Sequence, residues 1–362
     1  MKYDFLIVGA GLFGSTFARL ATDKGYKCFI IDKRSHIAGN CYTENVDNIN
    51  VHKYGPHIFH TNNDDIWNFV NQFSEFNNYE HRIKACNNGT LYSFPINLAT
   101  FNELWCINTA SEAQQKLEEV RIRNDNPKNL EEWILDKVGE RLYNTFVKEY
   151  TAKQWNKDPK DLPSFIIKRI PIRLTFNDNY FNDEYQGIPI GGYTKLFERM
   201  LEGIPIALET DYFADRDHYD GMAKKVIYTG AIDEFFNYAF GEMEWRSLRF
   251  ESNHFKNRDY QGYAIVNYTS KDVDYTRIIE HKHFENPKIE NTIITKEYPQ
   301  DYERGLDKFY PINTDQNEYM LQKYRELINH DKYLFGGRLA EYKYYDMHQV
   351  IGSAMKRFKS FV

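Results

Sequence analysis

Three groups of residues in this chain could carry chemistry. The first is Gly9-Ala10-Gly11-Leu12-Phe13-Gly14, a G-x-G-x-x-G run that directly follows an apolar stretch over residues 3–8. Asp32 ends a second apolar stretch, roughly 20 residues further on. This order is the fingerprint of a dinucleotide-binding βαβ unit: Gly9 allows a tight turn, Gly11 lets a pyrophosphate approach the backbone, and Gly14 lets helix and strand pack closely. The helix that follows aims its N-terminus at the phosphates, and Asp32 can accept ribose hydroxyls. A second such run is absent, and the Gly-Gly pairs at Gly191 and Gly336 do not supply one. One tightly held dinucleotide is therefore expected, which favours a resident flavin, although Asp32 alone does not separate FAD from NAD. The second group is Lys53-Tyr54-Gly55-Pro56-His57-Ile58-Phe59-His60-Thr61, two histidines in a Gly-Pro turn. No third ligand is evident, so no metal is expected. The turn reads as a cover over a cofactor ring, with histidine as hydrogen-bond donor; a purely structural turn is the alternative. The third group is Arg169, within residues 166–173, and Arg277, within 275–281. A guanidinium facing phosphate contributes roughly 1.5–3 kcal/mol. Two of them outweigh one aromatic contact of about 0.5–1.5 kcal/mol, so a diphosphate would dominate binding. Taken singly, an arginine is more often a solvated surface charge.

These residues need a scaffold, and the 362-residue length suffices for two or three domains. With 28 Tyr and 26 Phe the chain is rich in rings that suit sugar and nucleobase sites, though most must be core. A formal net charge of −6 argues against a nucleic-acid partner. Cys28, Cys41, Cys86 and Cys106 form no CxxC pair and read as reduced thiols of a cytoplasmic protein. No apolar run is long enough for a membrane span, and the apolar start carries Asp4 and lacks a small-residue cleavage site, so no targeting segment is expected.

Along the chain, apolar strands at 3–8, 226–228 and 333–335 each end in a glycine turn, at Gly9, Gly230 and Gly336. They can share one sheet only if the nucleotide domain is discontinuous. Between them the pattern is helical over 111–123, 130–138 and 141–150, with Leu142, Phe146 and Tyr150 four apart on one face. Residues 171–186 read as loop or strand pair, and 262–269, 275–284 and 291–298 as strands. The expected fold is α/β: a discontinuous Rossmann-like FAD-binding domain (1–70, 188–242, 330–362), a helical insertion (100–165) and an antiparallel β-sheet domain for substrate (71–99, 166–187, 243–329).

Several stretches then add up in order. They are 9–14, 54–61, Tyr150-Thr151-Ala152-Lys153-Gln154-Trp155, 165–173, Asn179-Tyr180-Phe181, 185–193, 275–284, 295–299, Tyr310-Pro311 and 336–349. Over essentially its whole length the chain resembles the bacterial-type UDP-galactopyranose mutase family. The resemblance implies a bound FAD, active when reduced, whose N5 is the nucleophile on the anomeric carbon, and interconversion of UDP-galactopyranose with UDP-galactofuranose. UDP-N-acetylgalactosamine is a further substrate in some relatives. Such ring contraction involves no net redox change, but UDP must leave, be retained and return to the same carbon. The resemblance puts Arg169, on a closing loop, and Arg277 on the diphosphate as catalytic residues. It puts Phe146 and Tyr150 at the uracil, Trp155 near the sugar, Tyr180, Tyr310 and Tyr344 on the diphosphate, and Asn267 and Asp346 at or near the site. Toward the flavin it puts Gly9, Gly11, Phe13, Gly14, Asp32, Lys33, Gly39, Asn40, His57, His60, Gly337 and Arg338. It further implies an external reductant, a homodimer and a role in cell-surface polysaccharide synthesis. Two departures stand out: Ala38-Gly39-Asn40 replaces the common Gly-Gly-Asn, and residues 100–145 match loosely. The rival readings are an FAD-dependent oxidoreductase of the amine-oxidase type and a non-catalytic nucleotide-sugar or flavin binder.

Overall fold

Three strands far apart in sequence meet in one parallel sheet. In the computed structural model, which describes residues 2–168, 170–256 and 258–361, Tyr3–Val8 lies between Ala223–Tyr228 and Cys28–Ile31. Tyr333–Phe335 and Ile206–Ala207 complete the two edges, giving a five-stranded sheet. The stretches 5–8, 28–31 and 226–228 are continuously apolar because both faces are covered there. On one face pack helices Leu12–Asp23 and Met347–Phe361, through Phe13, Phe17, Ala18, Val350, Ala354 and Phe358. On the other lie Tyr212, Ile232, Phe235, Leu321, Tyr324 and Tyr342. This Rossmann-like layer is discontinuous, as the three glycine turns required: one compact unit comprises the chain up to Asn78, Asp183–Arg246, and the chain from Tyr302 on.

The second unit, Tyr79–Asn182 with Ser247–Asp301, holds both the helical stretch and a mixed, largely antiparallel sheet. In that sheet Arg277–Glu280 runs antiparallel to both Ile265–Tyr268 and Thr292–Asp301. Ile265–Tyr268 in turn runs parallel to Ile83–Asn87, which forms a hairpin with Thr90–Phe94. The helices start where short polar side chains cap them: Asn97 before Leu98–Trp105, Thr109 with Glu112 in a capping box before Ala110–Val120, and Asn129 before Leu130–Phe146.

One break in the helical pattern falls where it is expected, and two local expectations are corrected. The helical stretch over 130–138 breaks, as expected, at Gly139, whose φ of 74° and ψ of 178° leave the helical region, and a second stretch runs on to Phe146. A Cβ there would lie 2.3 Å from the carbonyl oxygen of Val120, so the close approach of the preceding helix requires glycine. Tyr150 does not continue that helix: the chain turns at Val147 (φ −115°), and Tyr150 sits on a new helix, Lys148–Trp155. The Val147 N–H still bonds Tyr143, and its carbonyl takes the Thr151 N–H, so hydrogen bonding bridges the bend. Finally, the strand expected over 275–284 stops at Glu280 and becomes a 3₁₀ turn, His281–Phe284.

Glu280 explains that stop. Its fully buried carboxylate accepts the N–H groups of Tyr260 (2.8 Å), Gln261 (2.8 Å) and Gly262 (3.2 Å) and the Thr292 hydroxyl (2.7 Å). Burial opposes ionisation, but His283 and these donors outweigh it and hold the pKa at about 2. A folded pKa below the ordinary 4.5 stabilises the fold above that value, and the gain is lost as pH falls toward 2. Glu280→Gln is therefore expected to destabilise the protein by about 2–3 kcal/mol at neutral pH. In urea unfolding the deficit should shrink by about 1 kcal/mol near pH 3.5. An equal deficit at both pH values would show that the charge is not what matters.

Candidate active site

In the first unit the site grows from the turn between Tyr3–Val8 and Leu12–Asp23. Gly9 has φ +109°, and a Cβ on Gly14 would lie 2.0 Å from the Gly9 carbonyl oxygen, so strand and helix meet only because both residues lack a side chain. Asp32 fastens the turn from the neighbouring strand: its carboxylate accepts the N–H groups of Ala10 (2.7 Å) and Arg34 (2.9 Å). Gly39, which opens the 3₁₀ turn Gly39–Cys41, approaches so closely that a Cβ on it would lie 3.0 Å from the Gly11 Cα. The result is a backbone cradle beside a helix N-terminus that no side chain caps. Such a cradle fits a dinucleotide pyrophosphate, which needs amide donors and no intervening side chain. The Phe13 ring turns away into the core, where a Cβ on Gly336 would touch it, so Phe13 offers the cradle only backbone. Lys33 is exposed. Its neighbour Arg34 donates to Asn40 (2.9 Å), pairs with Asp307 (2.6 Å) and lies over the Tyr54 ring.

The histidine turn is tied inward. His57 Nδ1 lies 2.9 Å from the Gly55 carbonyl, which can only accept, so that nitrogen carries the proton. Burial and then the Arg338 charge push its pKa down to about 4. At neutral pH its Nε2 is consequently an acceptor, while Nδ1 is the donor. His60 likewise directs Nδ1 to Asp183 (2.6 Å), which also takes the Asn62 amide (2.7 Å). The His348 ring stands 4.9 Å from that of His60. Gly337 (φ +92°) donates its N–H to Glu341, and Glu341 is held by Arg357 and Ser353. Arg338 donates to the Phe309 and Tyr345 carbonyls and lies 5.4 Å from the Tyr344 ring, itself 5.3 Å from Tyr310. Asp346 is half-buried just before helix Met347–Phe361.

The second unit brings its own group together. Strand register places Asn267, Arg277 and Glu297 side by side across three strands. Glu297 is 1% exposed, with its carboxylate 3.2 Å from Arg277 Nε. Burial raises the Glu297 pKa, and the Arg277 charge opposes that rise. Arg277 also donates from Nη2 to the Tyr150 hydroxyl (3.0 Å), yet keeps 22% of its side chain exposed, so a ligand can reach it. Burial holds the Tyr150 phenol neutral by raising its pKa. Asn267 is only 8% exposed, and its Oδ1 has no hydrogen-bond partner among the described residues. Buried acceptors are nearly always satisfied, so this atom marks a place for a ligand. The Phe146 ring is buried against Tyr92 and Phe94. Trp155 ends its helix half-buried, closed by Asn156 in the left-handed region. Tyr180 bonds through its N–H to the His81 carbonyl and packs on the His81 and Phe181 rings. Arg169 lies outside the described residues.

Sequence reasoning passed over Arg34, Asp183, Glu297 and Glu341. Arg34 had a signal, two positions past the strand-end acid. Asp183 and Glu297 become visible only through pairing distant in sequence, whereas Glu341 meets the Gly337 amide four residues away.

A family model described as UDP-galactopyranose mutase matches residues 145–344, and one described as an NAD(P)-binding Rossmann-like domain matches 7–73. The dTDP-fucopyranose mutase of Escherichia coli is 39% identical, over 97% of this chain and 96% of its own. A probable UDP-galactopyranose mutase of Klebsiella pneumoniae is also 39% identical, over 99% and 94%. A crystal structure of a reduced UDP-galactopyranose mutase shares the fold with a TM-score of 0.73, covering 99% of this chain and 93% of that one at 14% identity. Matched by the family's model and by relatives along nearly its full length, this chain belongs to the UDP-galactopyranose mutase family, isomerases of the mutase type.

Proposed function

We propose that this chain is a flavin-dependent, ring-contracting isomerase that interconverts UDP-galactopyranose and UDP-galactofuranose, with UDP-N-acetylgalactosamine as a further substrate. The observation that supports this reading is the Arg277 guanidinium, oriented by Glu297 and Tyr150 in register with the unpartnered Asn267 oxygen. The cradle formed by Gly9, Gly11, Gly14, Gly39 and Asp32 would hold FAD, which in its reduced form supplies a nucleophilic nitrogen for the anomeric carbon. An external donor reduces it, and the enzyme works in the cytoplasm as a homodimer.

Arg277 stabilises the charge that grows on the departing diphosphate. Because the Tyr150 oxygen accepts from Arg277, the phenol proton is left to donate to a phosphate oxygen. Glu297 supplies the guanidinium's counter-charge from within the sheet. Asn267 Oδ1 accepts from a ligand hydroxyl. Arg169 adds a second guanidinium, Tyr180, Tyr310 and Tyr344 add hydroxyl donors, and Trp155 and Asp346 bound the sugar. Retaining UDP in this way allows its return to the same carbon.

A second reading has support from the E. coli relative, which is as similar as the one from Klebsiella. By that reading the substrate is a deoxythymidine-diphosphate 6-deoxyhexose. Dithionite-reduced protein incubated separately with UDP-galactose, UDP-N-acetylgalactosamine and dTDP-fucose, with products resolved chromatographically, decides between them. Formation of a furanose from one sugar identifies the substrate, and none from any of them refutes the isomerase reading.

Arg277→Ala and Arg169→Ala should each lower turnover about 10²–10³-fold, the usual loss of one transition-state charge partner, while the flavin spectrum stays intact. Near-normal turnover in both removes them from the mechanism. Gly14→Val should instead yield a colourless protein, because its side chain would collide with the Gly9 carbonyl and force the cradle open. Stoichiometric flavin in that variant would contradict the placement.

A further inference from the structure

The helix that carries Tyr150 and Trp155 also carries Lys153, to which the mechanism above assigns nothing. The Lys153 ammonium donates to four main-chain carbonyls: Tyr268 (2.9 Å), Ser270 (2.7 Å), Val273 (3.1 Å) and Tyr275 (3.0 Å). All four lie on the link between the strands that present Asn267 and Arg277. Four carbonyl dipoles aimed at one point repel each other unless a cation sits there, so the link owes its shape to the ammonium. The same link is tied to the helical stretch twice more, by Lys271 N–H to Glu149 (2.8 Å) and by Thr269 Oγ1 to the Thr145 carbonyl (2.7 Å).

We infer that Lys153 is a positioning residue, whose ammonium clamps the 268–275 link to helix Lys148–Trp155 and thereby sets Arg277 and Asn267 against Tyr150 for gripping a nucleoside diphosphate. The inference rests on the reading of Arg277 and Tyr150 as the diphosphate grip. It also has a consequence for pH. Burial lowers the Lys153 pKa to about 8, against the attraction of Asp272, Glu149 and Asp274. The other titratable groups on the link are Lys271 and the phenols of Tyr268 and Tyr275, whose pKa values burial raises. Deprotonation removes one of the three N–H donors and all of the charge. The clamp is therefore closed below about pH 8 and loosens above it.

The test uses the flavin-loaded protein and two variants. UDP affinity is measured calorimetrically on the oxidised form between about pH 6.5 and 9.5, with kcat and KM on the reduced form and hydrogen exchange of the 268–275 amides. Wild type should bind UDP more weakly above about pH 8. Lys153→Met should bind about tenfold more weakly at neutral pH, with no break near pH 8, faster exchange on the link and a KM effect larger than the kcat effect. Lys153→Arg keeps the charge at every assay pH and should bind without the break. Wild-type affinity in Lys153→Met, or a break near pH 8 that persists in Lys153→Arg, overturns the inference. Should wild type bind UDP with the expected pH profile and convert no sugar, the proposed reaction falls and the clamp stands.

Discussion

A guanidinium set within a β-sheet must be paired, and the pairing of Arg277 with Glu297 is what the second unit is arranged around. Removing one partner of such a buried pair leaves a charge without compensation, at about 3–5 kcal/mol. The pair forms because Arg277 and Glu297 stand opposite each other in antiparallel register. A one-residue slip would turn every side chain on the strand to the other face. The apolar neighbours Ile278, Ile279, Ile293 and Ile294, each about 1% exposed or less, bury both faces of these strands beside the pair. The register sets the ion pair, and the ion pair keeps the guanidinium beside Tyr150. Tyr150 joins from a different element, which is why the turn at Val147 and the anchoring of the Lys148–Trp155 helix bear on the chemistry.

In the first unit the corresponding constraint is steric rather than electrostatic. Helix Leu12–Asp23 lies so close to its strand that residue 14 has room for a hydrogen and nothing more. The concave backbone this creates is held by a single carboxylate, Asp32, which bonds the turn directly. This carboxylate shapes the loop by accepting the N–H groups of Ala10 and Arg34. Glu341 plays a similar part for the Gly336-Gly337-Arg338 turn, pinning the Gly337 amide from four residues away.

Much of the fold was legible because its signals are local. The glycine run, the strand before it and the acid after it specify a βαβ unit, and the glycine turns at Gly230 and Gly336 imply a sheet assembled from distant segments. The departures are equally instructive. Spacing of four linked Leu142, Phe146 and Tyr150 into one face, but periodicity carries no information about a bend at Val147 that keeps its hydrogen bonds. The stop at Glu280 depends on donors near residue 260 and at Thr292. The chemistry of the histidine turn hinges on which nitrogen meets the Gly55 carbonyl, which residue type alone cannot say. The polar row of Asn267, Arg277 and Glu297 is a product of strand register, so Arg277 stood out only as a lone charge, Asn267 only through family resemblance, and Glu297 was overlooked. The clamp by Lys153 is further still from local pattern, since the four carbonyls it holds lie more than a hundred positions away.

On the proposed reading Arg277 recognises the diphosphate and not the nucleoside. The most direct test compares calorimetric binding of UDP and of uridine to flavin-loaded wild type and Arg277→Ala. The account predicts that the substitution weakens UDP by about 2 kcal/mol and leaves uridine within a few tenths. An equal loss for both ligands, or none for UDP, would contradict it.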